Sequence, residues 1–387
     1  MTLPREDALE IVRRFRDAGG RRDVSAMTSL YAQDAVAISP IFGEVRGRDA
    51  IAATWQTMFT TFADLMLDIL EVLVDGDRLA IIGHILTTDR IGWFGLPPTG
   101  SRIEYRIVLL LTTDAEGRIV RDERIYDNSG VVERLEKARL DKELRTAADV
   151  QRALLSRTAF VARFCEVVGH SIPCRAIGGD FFEFAELPSG AVAIAMGDVS
   201  GKGPAAALRA SMLQGMIAVE APNGASPGVA VSRLNERLAA RHLEARFVTF
   251  VYGILAPDGR FTYTNAGHNA PVLLSRSGVR RLTKGGSILG AFPRATFEEE
   301  SVTLGGGDSV VMFTDGVTEA RSRDDEEFGE ERLMASLQTA ASATPMALLN
   351  RTFAAVGEFC GDAEQHDDVT VAVARYLAST YESRTVS

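Results

Sequence analysis

Cysteine is scarce in this sequence, which has three cysteines among 387 residues and no Cys-x-x-C pair. Three cysteines are too few to supply a disulfide framework for a chain of this length. Secreted proteins that depend on disulfide bonds are therefore excluded, and a reducing compartment fits best. We expect a cytoplasmic protein.

Positive charge is also in short supply. The 42 lysines and arginines are outnumbered by 52 aspartates and glutamates, which gives a formal net charge of −10. A chain with this balance has no broad basic face to neutralise the phosphate backbone of a nucleic acid. We therefore expect no nucleic-acid partner.

Long hydrophobic runs are missing as well. The first twenty residues carry acids and arginines where a signal peptide needs an uninterrupted apolar stretch. No later segment approaches the ~18 to 20 apolar residues that a membrane span requires. Apolar residues nevertheless make up 46% of the chain, which is enough for two or three packed domains. We expect no membrane partner.

Residues 1–128 have the pattern of a small α+β unit. Apolar residues at helical spacing predict a first helix around residues 8–15, and a second helix is predicted from Val24 to Tyr31. Three strand-like runs separated by turn residues follow at 77–91, 101–114 and 118–128. The pattern predicts helices first and then a curved antiparallel sheet.

Two stretches of this unit, "LYAQDAVAISPIFGEVRGRDAIAATW" and "GRIVRDERIYDNSGVVERL", resemble the SnoaL-like, nuclear-transport-factor-like cone fold. The resemblance implies a pocket inside the cone, for a small-molecule ligand or a protein activator. Five aromatic residues are candidates to line it: Trp55, Phe59, Trp93, Phe94 and Tyr105. The alternative is that these aromatics simply fill the core of a small domain.

Residues 129–157 contain no proline and are rich in residues that favour a helix. Opposite charges at i,i+4 spacing support one long linker helix. Its apolar residues keep to one stripe, formed by Leu140, Leu144, Ala147, Val150 and Leu154. A parallel homodimer through this stripe is one interpretation, and a connecting helix packed on its own chain is the other.

Residues 158–380 consist of short apolar runs punctuated by glycine, with helices predicted near 204–220, 228–240 and 344–360. Strands and helices come in blocks rather than in strict alternation. This arrangement indicates an α/β sandwich with largely antiparallel sheets. The whole chain is thus predicted to be α+β.

Aspartates stand at the ends of the buried strands in this last segment. The motifs are "AIGGDFFEF", "AVAIAMGDVSGKG", "SVVMFTDGVTEA" and "QHDDVTVAVARY", which place Asp180, Asp198, Asp315, and Asp367 with Asp368. One such aspartate is usually a turn former or a helix cap. Several that meet in one place would repel one another, so without matching cations they imply a metal. Oxygen donors alone favour Mg²⁺ or Mn²⁺ over zinc.

These motifs, together with "NAGHNAPVLL", resemble metal-dependent PPM-type serine/threonine phosphatases. The resemblance covers residues of about 165–377 and is strongest to the branch of SpoIIE and the stress-response partner-switching phosphatases. It implies an α/β-β/α sandwich that holds two Mn²⁺ or Mg²⁺ ions. Carried over by position, Asp198 bridges the ions, Asp180 and the Val199 carbonyl bind the second, and Asp315 and Asp367 bind the first. Asp368 is the weaker candidate ligand.

Two positions depart from the family pattern. Glu183 stands where aspartate is common, and Phe182 stands where tyrosine is frequent. Neither departure removes a predicted ligand, but both change the surroundings of the metals.

The resemblance further implies that the enzyme dephosphorylates an anti-sigma-factor antagonist under the control of the N-terminal domain. One rival hypothesis is a catalytically weak regulator that binds a phosphoprotein. Another is a SnoaL-like enzyme fused to a phosphatase, for which Asp89, Tyr105 and Asp127 are the conceivable pocket groups. No convincing acid–base pair supports that second rival.

Other routes to phosphate chemistry fit poorly. No cysteine begins a Cys-x₅-Arg motif, and "GDVSGKG" lacks the spacing of a phosphate-binding loop. Gly201 and Gly203 are better explained as a tight turn into a helix that starts at Pro204. The remaining polar candidates have a structural or solvated alternative as well as a functional one: Arg175, Lys202, His268 and His366.

Overall fold

The computed structural model describes residues 4–154, 158–241 and 247–378. The chain forms two compact units, with the boundary between Glu143 and Leu144. The division of the sequence into 1–128, 129–157 and 158–380 stays a prediction. Among the described residues, every helix is too short or too polar to cross a bilayer.

The first unit contains the predicted helices and strands and several more. Its elements are α1 (Arg5–Gly20), α2 (Val24–Thr28), β1 (Tyr31–Ser39), β2 (Gly43–Arg46), α3 (Arg48–Thr61), β3 (Met66–Asp75), β4 (Arg78–Thr88), β5 (Arg102–Thr113), β6 (Ile119–Ile125) and the start of α4 (Asn128–Leu154). The six strands form one sheet in the order β2-β1-β6-β5-β4-β3. The fold class predicted for this unit is confirmed.

Two local predictions for the first unit were wrong. The second helix ends at Thr28 rather than Tyr31, because the tyrosine opens β1 and its buried hydroxyl donates to Asp122 on β6 (2.8 Å). The sheet is not wholly antiparallel, since β1 and β6 run parallel. A parallel pair needs a long crossover connection, and the elements between these two strands provide it.

The core of the first unit lies between the helices and one face of the sheet. On α1 the buried residues recur at helical spacing, and they are Ala8, Ile11, Val12, Phe15 and Ala18. Residues of β4 alternate between buried and less buried, which is the pattern of a strand with one covered face. Phe15 is 1% exposed, so its truncation to alanine would cost about 3–5 kcal/mol of stability.

The aromatic residues predicted to line a pocket divide into two groups. Trp55 and Phe59 line a cavity together with residues of α1 and the sheet. The other three are not among its lining residues, so the prediction was wrong for them. They pack in an aromatic cluster whose ring pairs are Phe62–Trp93, Trp93–Phe94, Trp93–Tyr105 and Tyr105–Tyr126. The core alternative holds for Trp93 and Tyr105, which are buried, whereas Phe94 is 37% exposed.

The long helix α4 confirms the predicted helix up to Leu154, and residues 155–157 lie outside the described residues. Val131 and Leu135 are buried in the core of the first unit. The predicted stripe is largely solvent-exposed, with Leu140, Val150 and Leu154 each more than half exposed. The homodimer through this stripe stays a prediction.

The second unit is built from two six-stranded sheets with helices on both outer sides. Its strands are β7 (Ala159–Val161), β8 (Cys165–Ile172), β9 (Phe181–Glu186), β10 (Val192–Val199), β11 (Val248–Leu255), β12 (Arg260–Ala266), β13 (Val272–Ser275), β14 (Gly278–Arg281), β15 (Gly285–Gly286), β16 (Glu300–Thr303), β17 (Ser309–Phe313) and β18 (Val369–Tyr376). Its helices are α5 (Pro204–Glu220), α6 (Pro227–Ala239), α7 (Asp315–Thr318), α8 (Gly329–Gln338) and α9 (Pro345–Cys360). The sequence analysis did not predict α8.

The order of the layers is helix, sheet, sheet, helix. One sheet has the order β15-β12-β11-β10-β9 with β16 beside β12, and the other has the order β14-β13-β17-β18-β8-β7. An apolar core joins the two sheets, α5 and α6 cover the first sheet, and α8 and α9 cover the second. The predicted α/β-β/α sandwich is confirmed.

Candidate metal centre

Pairing between neighbouring strands explains why aspartates distant in sequence approach one another. Asp180 immediately precedes β9 and Asp198 is the second-last residue of β10, and these two strands are antiparallel neighbours. In an antiparallel pair the start of one strand lies beside the end of the other. The same sheet edge therefore carries both carboxylates.

The second sheet presents its acids in the same way. Asp315 follows β17, Asp367 and Asp368 precede β18, and β17 pairs antiparallel with β18. Hydroxyls from this sheet reach the first one, because Thr314 Oγ1 and Thr370 Oγ1 each lie 2.7 Å from Asp180 Oδ2. The acidic ends of the two sheets thus meet at one end of the sandwich.

The mutual proximity of these acids is visible in their electrostatics. Burial, followed by the negative charges of Asp315, Asp367 and Asp368, raises the pKa of Asp198 to about 7. Burial and the charge of Asp198 raise the pKa of Asp180 well above its ordinary value. Burial and Asp367 also raise the pKa of Asp315. Carboxyl groups with raised pKa values in one place form a site that is short of positive charge.

Asp368 holds the loop that carries Asp180. Its Oδ1 accepts the backbone N–H of Cys174 (2.8 Å), and its Oδ2 accepts those of Gly179 (2.6 Å) and Asp180 (3.3 Å). The side chain is 5% exposed. Its oxygens are therefore already committed to the loop, which agrees with its lower rank as a candidate ligand.

Gly179 lets this loop approach the predicted carbonyl ligand. A Cβ at Gly179 would lie 2.9 Å from the Val199 carbonyl oxygen, closer than real side chains come to backbone atoms. Two further glycines shape the turn that follows Val199, since Gly201 and Gly203 have φ angles of 95° and 82°. Helix α5 then begins at Pro204, as the sequence predicts.

Among the described residues, Lys202 is the cation that forms an ion pair with this group of acids. Its Nζ lies 3.0 Å from Asp367 Oδ2 and also donates to the His366 carbonyl. The lysine is thus solvent-exposed, as the structural alternative has it, and also paired with Asp367. One lysine cannot balance the charge of Asp198, Asp315 and Asp367 together.

The donor set fits hard divalent cations. Carboxylate oxygens and one backbone carbonyl suit Mg²⁺ or Mn²⁺. The raised pKa values indicate carboxyl groups that divalent cations would return to the charged form. Among the described residues, a cluster of Cys174, Asp367 and Asp368 also has the spacing of metal-binding groups. Burial raises the pKa of the Cys174 thiol to about 11, which disfavours the thiolate that a metal needs.

The other residues singled out in the sequence differ in burial and in their contacts. His268 is buried, with Nδ1 2.8 Å from Thr249 Oγ1, and burial lowers its pKa to about 4, so its structural interpretation is favoured. Arg175 and His366 are exposed. Glu183 lies on β9, where Gln214 Nε2 donates to it at 3.5 Å, and Phe182 stacks on Phe184.

The pocket groups suggested for an enzyme in the cone have structural roles. Asp89 accepts the backbone N–H and the hydroxyl of Thr99, each at 2.8 Å, and so fixes a turn. Asp127 accepts the N–H of Gly130 (2.9 Å) at the start of α4. Neither lines the cavity beside Trp55.

One contact was missed by the sequence analysis. The amide of Gln151, on α4, brackets the backbone of Gly178, donating to its carbonyl at 2.7 Å and accepting its N–H at 3.2 Å. Ala148 packs nearby with Ile177 and Ala207. The last turns of α4 thus hold the loop that leads to Asp180. The signal available in the sequence was Gln151 itself, a polar residue on the same helix face as Leu144 and Ala148.

Two family models match the chain. Residues 188–377 match the model described as Stage II sporulation protein E (SpoIIE), and residues 12–122 match the SnoaL-like domain. Residues 12–122 are thus similar to SnoaL-like domains, and residues 188–377 are similar to SpoIIE; these two parts are called the SnoaL-like domain and the SpoIIE-type domain below. Both predicted resemblances are confirmed.

Individual relatives agree with these matches. Protein IcfG of Synechocystis sp. is 30% identical over 228 residues, which cover 51% of this chain and 36% of IcfG. Phosphoserine phosphatase RsbU of Bacillus subtilis is 28% identical over 247 residues, which cover 61% of this chain and 70% of RsbU. The chain thus spans about a third of the first relative and about two thirds of the second.

A solved structure gives the same picture for the SpoIIE-type domain. The crystal structure of the RsbU and RsbW domains of a Mycobacterium tuberculosis protein has a TM-score of 0.51 and 25% identity. It covers 58% of this chain and 63% of that one. The likeness extends from the sequence to the arrangement of the fold.

Proposed function

We propose that the protein is a serine/threonine protein phosphatase that uses two Mn²⁺ or Mg²⁺ ions. The observation that carries the proposal is the convergence of Asp180, Asp198, Asp315 and Asp367 at one end of the sandwich, with raised pKa values for the first three. The similarity to phosphoserine phosphatase RsbU supports the type of substrate.

The residues have separate tasks in this proposal. Divalent cations held there would supply charge neutralisation for phosphoryl oxygens and activate a water for in-line attack on phosphorus. Asp198 would bridge the ions, Asp180 and the Val199 carbonyl would hold one, and Asp315 and Asp367 would hold the other. Thr314 and Thr370 fix the Asp180 carboxylate through their hydroxyls. Lys202 would attract the substrate phosphate once Asp367 is occupied by a metal.

A cavity beside this centre offers space for the phosphorylated side chain of a protein substrate. It has a volume of about 380 Å³, it shares Lys202 and Asp367 with the centre, and its apolar side includes Phe353 and Val356. We propose that the substrate is the phosphorylated form of an anti-sigma-factor antagonist. The presence of RsbU and RsbW domains in the similar structure supports this partner-switching context. The N-terminal domain would regulate the reaction, and the protein would act in the cytoplasm.

The test is phosphate release from a phosphorylated antagonist protein by the full chain. We expect release with Mn²⁺ or Mg²⁺, loss of release with excess EDTA and recovery when the metal is restored. Undiminished release in excess chelator would contradict the metal mechanism. Stoichiometric binding of the phosphoprotein without release would favour the rival hypothesis of a phosphoprotein-binding regulator.

A further inference from the structure

His268 belongs to a motif that the proposed metal chemistry leaves unused. It stands in the connection that leads from β12 in the first sheet of the second unit to β13 in the other sheet. The side chain is buried, with 7% exposed. Asn265 fixes the backbone of this turn, because its Oδ1 accepts the His268 N–H at 2.7 Å and its Nδ2 donates to the His268 carbonyl at 2.9 Å. The turn therefore holds the imidazole in a defined position.

The imidazole of His268 interacts with a strand of each sheet. On the first sheet, Thr249 Oγ1 on β11 lies 2.8 Å from Nδ1. On the second sheet, the backbone carbonyl of Phe313 interacts with the ring, although Nε2 makes no hydrogen bond of good geometry in the described part of the chain. Burial outweighs the effect of this carbonyl and lowers the pKa of His268 to about 4. The ring is therefore neutral at neutral pH, and it contributes hydrogen bonding rather than charge.

Thr249 is the cross-strand neighbour of Asp198. The antiparallel pairing of β10 with β11 places the two residues opposite each other. Alternate residues of both strands lie in the core between the sheets: Val192, Ile194, Met196, Val251 and Leu255. Because side chains alternate along a strand, Asp198 and Thr249 face this same side. Opposed residues have Cβ atoms about 4.5–5.5 Å apart, so the Thr249 hydroxyl stands beside the Asp198 carboxylate.

The contact of the imidazole with the second sheet also lies next to the acids. Phe313 immediately precedes Thr314, whose hydroxyl lies 2.7 Å from Asp180 Oδ2. It also lies two residues before Asp315. The His268 ring is thus placed between two strands, each of which ends at candidate metal ligands.

We propose that His268 is a positioning residue of the metal centre, which holds the Thr249 hydroxyl beside the carboxylate of Asp198. The inference rests on the proposed function, because Asp198 is the residue that would bridge the two ions. Groups that hydrogen-bond around metal ligands orient them, and their loss typically weakens metal binding about 10–100-fold. His268 acts through Thr249 and is not a catalytic residue.

The test is calorimetric titration of the metal-free full chain with Mn²⁺, which measures metal affinity without a phosphatase assay. Thr249→Val keeps the shape of the side chain and removes the hydroxyl, so the affinity should fall about 10–100-fold. Thr249→Ser retains the hydroxyl and should stay within about threefold of the wild type.

Thr264→Val is the matched control. Thr264, on β12, is fully buried and donates to the Glu298 carbonyl at 2.7 Å. It lies on the opposite face of the sheet from its neighbour Tyr263, which is in the core between the sheets. Its Mn²⁺ affinity should stay within about twofold of the wild type. An equal loss in Thr264→Val and Thr249→Val would assign the effect to general loosening of the sheet and contradict the proposal.

Two substitutions of His268 separate its hydrogen bond from its volume. His268→Asn presents a polar atom near the place of Nδ1 and leaves less volume, whereas His268→Leu keeps apolar volume and loses the hydrogen bond. We expect an Mn²⁺ affinity within about fivefold of the wild type for the asparagine variant and about 10–100-fold weaker for the leucine variant. The reverse order would show that His268 only fills space, and the proposal would be overturned.

The double variant His268→Leu with Thr249→Val separates positioning from folding. Replacing both partners of a buried hydrogen bond by apolar groups of similar shape is nearly neutral for stability. The metal-free melting temperature should therefore stay within about 4 °C of the wild type. The Mn²⁺ affinity should fall no further than in Thr249→Val alone, because both residues act through one contact.

Two outcomes distinguish this inference from the proposed function. A folded double variant that binds Mn²⁺ within about threefold of the wild type would overturn the role of His268 and leave the metal centre intact. Absence of Mn²⁺ binding by the wild-type chain would overturn the proposed metal mechanism, and the role of His268 with it.

Discussion

The negative charge of buried acids is compensated differently in two regions of this molecule. In the SnoaL-like domain Asp122 is fully buried, and Arg124 meets one of its oxygens through Nε at 3.0 Å and Nη2 at 2.8 Å. The Tyr31 hydroxyl donates to the same oxygen at 2.8 Å. The negative charge is matched within the chain.

Among the described residues, Asp180, Asp198 and Asp315 of the candidate metal centre have no such ion pair, since Lys202 pairs with Asp367. Asp180 is 3% exposed and receives two hydroxyl donors, but no cation in the described part of the chain pairs with it, and the acid that Lys202 pairs with is Asp367. The pKa of Arg124 is raised above its ordinary value by its acidic partner against the effect of burial, whereas those of Asp180 and Asp198 are raised by burial and by other acids. A matched buried acid belongs to the architecture, and unmatched buried acids indicate a cation from outside.

The largest effect that this comparison predicts is on activity. Asp198→Asn removes the carboxylate that would serve both ions and should lower phosphate release by more than about 100-fold, the upper range for substitutions outside the metal ligands. The same substitution removes a repelled charge, so the metal-free protein should melt at a higher temperature. Activity within about tenfold of the wild type would break the comparison.

Substitution in the ion pair of Asp122 and Arg124 should lower stability, whereas Asp198→Asn should raise it in the metal-free protein. Asp122→Asn leaves the Arg124 guanidinium buried without its counter-charge and should cost about 3–5 kcal/mol of stability. Chemical denaturation measures the loss. The double variant with Arg124→Met is the control, since replacing both charges should restore most of the stability. A stable single variant would show that the pair is not matched as described.

The pH dependence of stability sharpens the contrast. In an unfolded chain an aspartate has a pKa near 3.9, whereas that of Asp198 is about 7 in the folded protein. Between these values the folded state binds more protons, so stability is fully present below the unfolded pKa and is lost as the pH rises through the folded one. In EDTA the melting temperature should therefore fall between about pH 4 and pH 7, by an amount equivalent to at most about 4 kcal/mol.

Two controls accompany this measurement. Mg²⁺ should remove most of the fall, because it favours the ionised carboxylates, and Asp198→Asn should flatten the profile in EDTA. A melting temperature that rises with pH in EDTA would contradict the raised pKa values on which the comparison rests.

The smallest effect concerns the helix that contacts the acidic site. Gln151→Ala removes two hydrogen bonds to Gly178, which should cost about 1–2 kcal/mol. Because the loop of Gly178 also carries Asp180, we expect the loss to appear as weaker Mn²⁺ binding. Val150→Ala is the matched control, since that side chain is 59% exposed. Mn²⁺ affinities that differ by less than about twofold between the two variants would leave Gln151 without a role in positioning the loop.

The sequence allowed much of the acidic site to be predicted, because its aspartates follow or precede apolar strands in recognisable motifs. The order of those motifs also indicated the sandwich. The hydrogen bonds that hold the loops around these aspartates could not be predicted in this way. Asp368 anchors Gly179 across 189 positions of sequence, and nothing in "QHDDVTVAVARY" identifies which of its two acids turns inward to the loop.

The same limit on prediction from the sequence applies to the SnoaL-like domain. Its helices and long strands follow from periodicity, but the parallel pairing of β1 with β6 depends on a crossover that periodicity does not encode. Asp122 and Arg124 are two residues apart on one strand face, and this spacing could have suggested a pair. Their full burial depends on how α1 and α3 cover the sheet, which the sequence alone does not specify.

The most direct test is calorimetric titration of the metal-free full chain with Mn²⁺ at neutral pH. The account predicts two ions bound per chain, with protons released as the carboxyl groups of Asp180 and Asp198 ionise, and loss of this binding in Asp198→Asn. Absence of Mn²⁺ binding by the wild-type chain, or unchanged binding by Asp198→Asn, would contradict it.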